Sequence, residues 1–160
     1  MNFIKKYSNF IILGLIVISI IFLFLPCGAY VYGASGEFKD YVSSGFQMIF
    51  GRKGDGYAIF EINILGICML LLMLFAIIIS LTSKIIDSKY TSLLQFVIIG
   101  LASFFYYILP SSVNHGRFQI NDRFQGEIAV YIGATILLLA GIFALCVFLS
   151  NILATEEKVK

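Results

Sequence analysis

Charge is the feature that most constrains this chain, because it is confined to short clusters. Four long intervals carry none: Tyr7–Gly36, Ile62–Ser83, Tyr90–Gly116 and Ile128–Thr155 contain no Asp, Glu, Lys or Arg. Each is long enough for a helix of about 20 residues to cross a hydrocarbon core about 30 Å thick. The composition agrees, with 60% hydrophobic residues, 12% charged residues and a mean hydropathy of +0.98 over 160 residues. A soluble domain is typically about half apolar and about a quarter charged. Disorder is excluded by the high hydrophobicity, and a soluble enzyme core is nearly excluded with it. The expected fold is an all-α membrane protein, a four-helix transmembrane bundle forming a single domain over 1–160. Its spans are expected at about 8–29, 58–83, 91–109 and 127–153.

An even number of spans puts both termini on one side and both longer loops, 30–57 and 110–126, on the other. Lys5, Lys6, Lys84, Lys89, Lys158 and Lys160 fall on the terminal side, against Lys39, Arg52, Lys53, Arg117 and Arg123 on the loop side. The margin is one residue, but Lys5-Lys6 flank the first span closely, and the first helix usually dominates orientation. A multi-pass protein of the cell membrane with both termini cytoplasmic is expected. The run Phe10–Leu25 is slightly longer than the apolar core of a cleaved signal peptide, so a retained span is expected there. Residues 117–125, Arg-Phe-Gln-Ile-Asn-Asp-Arg-Phe-Gln, read as a β-hairpin turning at Asn121-Asp122. The first loop carries Phe46-Gln47-Met48-Ile49-Phe50, apolar enough to bury against that hairpin. Together the loops are expected to form a small extracytoplasmic cap. The second and fourth spans also echo each other, in Gly66-x-x-Met69-Leu70-Leu71-Leu72 and Gly133-x-x-Ile136-Leu137-Leu138-Leu139, as chance or a duplicated hairpin would produce.

The span centres lack ionisable side chains, the usual marker of proton relays and coupled transport. Ser19, Asn63, Ser80, Gln95, Ser103, Thr135 and Asn151 are mild polar groups suited to interhelical hydrogen bonds, with Asn63 and Gln95 close enough to span ends for water to satisfy them. Cys27, Cys68 and Cys146 are scattered and read as small hydrophobes, with no metal-ligand spacing. No basic stripe suggests nucleic acid. The stretch 51–56 has the glycines of a phosphate loop without its G-K-[ST] ending, and no G-x-S-x-G motif supports a hydrolase. No catalytic, cofactor-binding or metal-binding residue is therefore assigned.

The candidate interaction residues at the outer rim are Glu61, His115, Arg117, Asp122, Arg123 and Glu127. Glu61 and Glu127 suit helix N-termini, where a carboxylate opposes the positive end of the macrodipole; the alternative is that they meet at the mouth of the bundle and bind a cation or a basic partner. Gly133, Ala140 and Ala144 share one helical face and are the candidate packing face, within the bundle or against another subunit. Phe104, Phe105, Tyr106 and Tyr107, with Tyr30 and Tyr32, read as an interfacial aromatic belt.

Leu25-Pro26 closing the first span and Ser44-Gly45-Phe46-Gln47-Met48-Ile49-Phe50-Gly51 leading towards the second resemble a loosely defined group of uncharacterised four-span membrane proteins of low-GC Gram-positive bacteria. That resemblance covers about the first 60 residues and the span count. It implies a bacterial plasma membrane and no activity. The expected function is non-enzymatic: an accessory subunit, assembly factor or immunity-type protein acting by protein–protein interaction. Its expected partners are the bilayer and another membrane protein, or itself as a homo-oligomer. The alternatives are a small oligomeric channel or carrier and a membrane-interface enzyme using outer-loop acidic residues.

Overall fold

A computed structural model describes residues 2–32, 38–54, 57–82, 90–113 and 123–156. In chain order the elements are helix α1 (Asn2–Phe22), strands β1 (Pro26–Tyr32) and β2 (Phe38–Ser44), helix α2 (Gly45–Phe50), and strands β3 (Arg52–Gly54) and β4 (Tyr57–Phe60). Helices α3 (Ile64–Thr82) and α4 (Thr91–Ile108) follow, then a 3-10 turn (Pro110–Ser112), strand β5 (Arg123–Gly126) and helix α5 (Ile128–Glu156). The fold is mostly helical with a small sheet. Three helices, α3, α4 and α5, are long and apolar enough to cross a membrane, and α1 contributes a shorter apolar helix over Tyr7–Phe22.

The long helices pack through narrow stripes. Ser8, Ile12, Ile16 and Ser19 are buried on α1, and Gly66, Met69, Met73, Ala76 and Ser80 on α3. On α4 the buried set is Gln95, Ile99, Ala102, Ser103 and Tyr106, and on α5 it includes Val130, Ala134, Leu137, Ala140 and Ala144. Spacings of three and four residues keep each set on one helical face. Helix α5 packs against α4 and α1, and α3 packs against α4 and less extensively against α1. The opposite faces are equally apolar: Leu71, Leu74, Phe75, Ile78 and Leu81 on α3 are each more than half exposed. A water-soluble protein rarely presents so large a contiguous apolar surface.

The first two helical boundaries differ from the sequence expectation. Helix α1 stops at Phe22, whereas the first span was expected to run to about 29. Its last turn tightens through bonds from Leu23 N to Ile20 O, Phe24 N to Ile21 O and Leu25 N to Phe22 O. Pro26 then supplies no N–H and pushes its predecessor towards extended backbone. The apolar run that follows is β1, whose Cys27, Ala29 and Tyr30 are buried. Burial gives a central strand the hydropathy of a helix end, so the pattern could not separate them. Likewise α3 begins at Ile64 rather than near 58, because Tyr57–Phe60 is a strand.

All the strands gather where α1 ends, α3 begins, α4 ends and α5 begins, forming a cap on that end of the helices. One antiparallel sheet has the order β2-β1-β5 and so draws on both long connections; β3 and β4 form a second, two-stranded sheet. Gly28 lies opposite Gly126, and Tyr30 opposite Phe124. The bond from Glu127 N to Cys27 O, 2.9 Å, carries this pairing to the start of α5. Strand β5 coincides with the second arm of the hairpin expected over 117–125 and pairs with β1; the first arm and the Asn121-Asp122 turn lie outside the described residues. Tyr30, Phe60 and Phe124 form the cap's aromatic core, with ring centroids 5.2 to 5.9 Å apart. Burial pushes the Cys27 thiol beside this core up to about 11, offset in part by a backbone hydrogen bond from Gly45.

Helix α2 is set by a reciprocal cap. The Ser44 hydroxyl accepts from Gln47 N at 3.3 Å, and Gln47 Oε1 accepts from Ser44 N at 3.0 Å. This capping box satisfies two amides that would otherwise lack partners. Asn63 performs a wider version at the start of α3. Its Oδ1 accepts from Gly66 N, its Nδ2 donates to Ser112 Oγ at 2.9 Å, and its own N–H donates to Ile49 O. It thereby joins α2, α3 and the 3-10 turn. Asn63 is 2% exposed, so protein rather than water satisfies it, contrary to the sequence expectation.

Candidate functional site in the cap

One hollow is a groove of about 570 Å³ at the foot of the cap, lined by Phe50, Gly51, Arg52, Lys53, Phe60, Glu61 and Ile62. Gly51 ends α2 with φ +89°, and a Cβ there would lie 2.8 Å from Phe60 O, so glycine alone lets the chain turn into β3. In the β3–β4 pair, Arg52 lies opposite Phe60 and Lys53 opposite Ala58. Glu61 follows β4 directly, which brings a carboxylate and two cations to one groove. Arg52 Nη1 donates to Val42 O at 2.8 Å and to Ser43 Oγ at 3.1 Å. These bonds hold the guanidinium against β2 without a carboxylate. Lys53 and Glu61 are exposed, and among the described residues no ion pair joins them. Phe50 and Ile62, at 57% and 59% exposure, give the same groove an apolar side.

A second hollow, about 370 Å³, is lined by Tyr107, Pro110, Ser111, Phe124, Gln125, Gly126 and Tyr131. The Tyr107 hydroxyl is hydrogen-bonded to Thr135 Oγ1, and its ring lies 6.3 Å from that of Tyr131. Its lining carries no charged residue.

The outer-rim candidates are distributed among different elements. Glu61 lines the first groove, three residues before α3. Glu127 immediately precedes α5 and is tied by its backbone to Cys27. Arg123 opens β5 opposite Val31. His115, Arg117 and Asp122 lie outside the described residues. Gly133, Ala140 and Ala144 are buried on α5. A Cβ on Gly133 would lie 2.5 Å from the Tyr106 hydroxyl and 3.0 Å from Phe22 Cβ, so its close neighbours belong to α4 and α1 of the same chain.

The polar groups of the helices are largely spent on one another. Ser19 Oγ donates to Gly133 O, Ser103 Oγ to Ala134 O, and the Tyr106 hydroxyl to Ser19 O. Tyr106 is fully buried and Tyr30 is 1% exposed, so an interfacial belt does not account for either; both are core residues. Gln95 Nε2 donates to Ser80 Oγ at 3.0 Å, while Gln95 Oε1 is buried without a partner. Gln95 is fully buried, away from the water expected to satisfy it. Such bonds are worth about 0.6 kcal/mol each on average within membranes, so they align helices more than they hold them.

In the sequence, Arg52 and Lys53 count only towards the positive charge of the loop side and are assigned to no site. The pattern that could have assigned them to one is Asp55-Gly56 between two short strand-like segments, a strong hairpin pattern that would carry Glu61 back towards Arg52. Comparison of the chain with protein-family models and with curated proteins gave no match.

Proposed function

We propose that this chain is a four-span protein of the bacterial cell membrane, with both termini cytoplasmic. In this reading α1, α3, α4 and α5 form a transmembrane bundle, the cap faces outwards, and the protein acts by protein–protein interaction as an accessory subunit, assembly factor or immunity-type protein. The 21 residues of α1 extend about 30 Å at 1.5 Å per residue, which supports counting it as a span.

The observation that carries the interaction reading is the cap itself. Both connections contribute strands to one sheet, whose aromatic core is shared with Phe60 of β4, so edge strands and grooves are held together above the helices. Preorganised surfaces lose less entropy on binding than loose loops do. The test is affinity purification from native membranes under mild detergent. A partner retained at constant stoichiometry by the wild type, and released when exposed Val42 and Gln125 on β2 and β5 are both replaced by Arg, is the expected result. Recovery of the chain as a homo-oligomer that conducts ions in liposomes would overturn the reading.

A further inference from the structure

We propose that the groove at the foot of the cap binds the headgroup of a zwitterionic phospholipid bearing a primary ammonium. The phosphate would sit between Arg52 and Lys53, and the ammonium would meet Glu61. The inference rests on the transmembrane placement proposed above.

The charge pattern is the first support. The lining offers two cations and one carboxylate, and neither Lys53 nor Glu61 is in an ion pair among the described residues. Arg52 is oriented by the Val42 carbonyl and the Ser43 hydroxyl through one nitrogen, Nη1. A guanidinium carries five N–H donors in a fixed fork, so donors remain for a phosphate. Hydrogen bonds between ionised groups are roughly twice as strong as neutral ones. A headgroup without a positive charge would leave Glu61 facing an anion. A quaternary ammonium would place its charge there with no N–H to donate.

Position supplies the second support. Phe50 and Ile62 expose apolar surface in the same groove, and Ile64, which opens α3, is 72% exposed. The groove thus lies where the apolar face of a candidate membrane span gives way to charged cap residues, the level at which phospholipid headgroups lie. Acyl chains leaving it would pass Phe50 and Ile62 and continue along the exposed apolar face of α3. A soluble zwitterion would use the three charges but gain nothing from that face. The volume, about 570 Å³, falls within the range usual for small-ligand sites.

The test is lipid retention by the full-length protein, purified in detergent, delipidated and incubated with equal amounts of phosphatidylethanolamine, phosphatidylglycerol and phosphatidylcholine, then read by native mass spectrometry. The expected result is at least fivefold more phosphatidylethanolamine retained than either competitor. Lys53→Gln and Glu61→Gln should each lower that retention at least threefold, and Glu61→Gln should shift preference towards phosphatidylglycerol. Equal or greater retention of phosphatidylglycerol or phosphatidylcholine by the wild type would overturn the inference, as would unchanged retention by both variants. Carbonate extraction of membranes carrying the same proteins separates the two claims. Release from the membrane contradicts the transmembrane placement, whereas stable insertion without phosphatidylethanolamine preference contradicts the lipid site alone.

Discussion

The helical layer and the cap are held together by different means. In the helices each segment buries one stripe, set by residues three and four apart, and small side chains let backbones approach. In the cap the contacts join residues far apart in the chain, such as Tyr30 with Phe60 and Phe124. The helical layer depends on how closely its members can approach, and the cap on whether one aromatic cluster is complete. Disturbing the first should therefore be felt throughout the molecule, while disturbing the second should remain local.

The largest expected effect is that of Gly133→Leu. A side chain there must displace Tyr106 and Phe22, which are already within contact distance of an added Cβ. Overpacking typically costs about 1–3 kcal/mol, and a whole leucine side chain against two such close neighbours falls at the upper end of that range. Thermal unfolding in detergent should show a large fall in midpoint, with hydrogen exchange rising in α1, α4 and α5 together. A variant as stable as the wild type would mean that these helices are not in close contact.

Phe124→Ala should cost about 2 kcal/mol, since the ring is only partly buried. Faster amide exchange is expected in β1 and β5, with the protection of α3 and α4 unchanged. Exchange rising equally in all helices would remove the distinction between the two regions. The smallest effect belongs to Gln95→Leu. The substitution removes a buried oxygen that has no partner and leaves Ser80 Oγ donating to Ala76 O. Replacing an unsatisfied polar group by an apolar one of similar shape should be neutral or stabilising by up to about 1 kcal/mol. A loss of stability in the same unfolding assay would show that the Gln95 amide contributes more than one weak bond.

The same division decides what the sequence discloses. The helical segments were legible because their apolar character extends over many consecutive residues with few charges, and because α4 stops just before Pro110 and α5 fills its charge-free interval. Strand β1 was not legible. Its residues Cys27, Ala29 and Tyr30 are as apolar as a helix end, and only pairing with residues near 40 and 125 makes them a strand. The capping box Ser44-x-x-Gln47 was present as a local pattern but lay in a segment read as loop. At the candidate groove, Glu61 was selected as an acidic helix-start residue. Its neighbours Arg52 and Lys53 become relevant only when β3 and β4 pair. Tyr106 was misread for the reverse reason: its neighbours Phe104 and Tyr107 are exposed, and one step around the helix separates an outward ring from a core one.

The central claim is a bundle of four membrane-crossing helices with the cap on the side opposite both termini. Single cysteines test it directly, in a background where Cys27, Cys68 and Cys146 are replaced by Ala. Lys6→Cys, Lys53→Cys and Lys158→Cys variants would each be treated with a membrane-impermeant maleimide in intact bacterial cells, with and without permeabilisation. Four crossings predict labelling of Lys53→Cys in intact cells, and of Lys6→Cys and Lys158→Cys only after permeabilisation. Labelling of Lys6→Cys together with Lys53→Cys in intact cells would contradict the account, because α1 would then not cross.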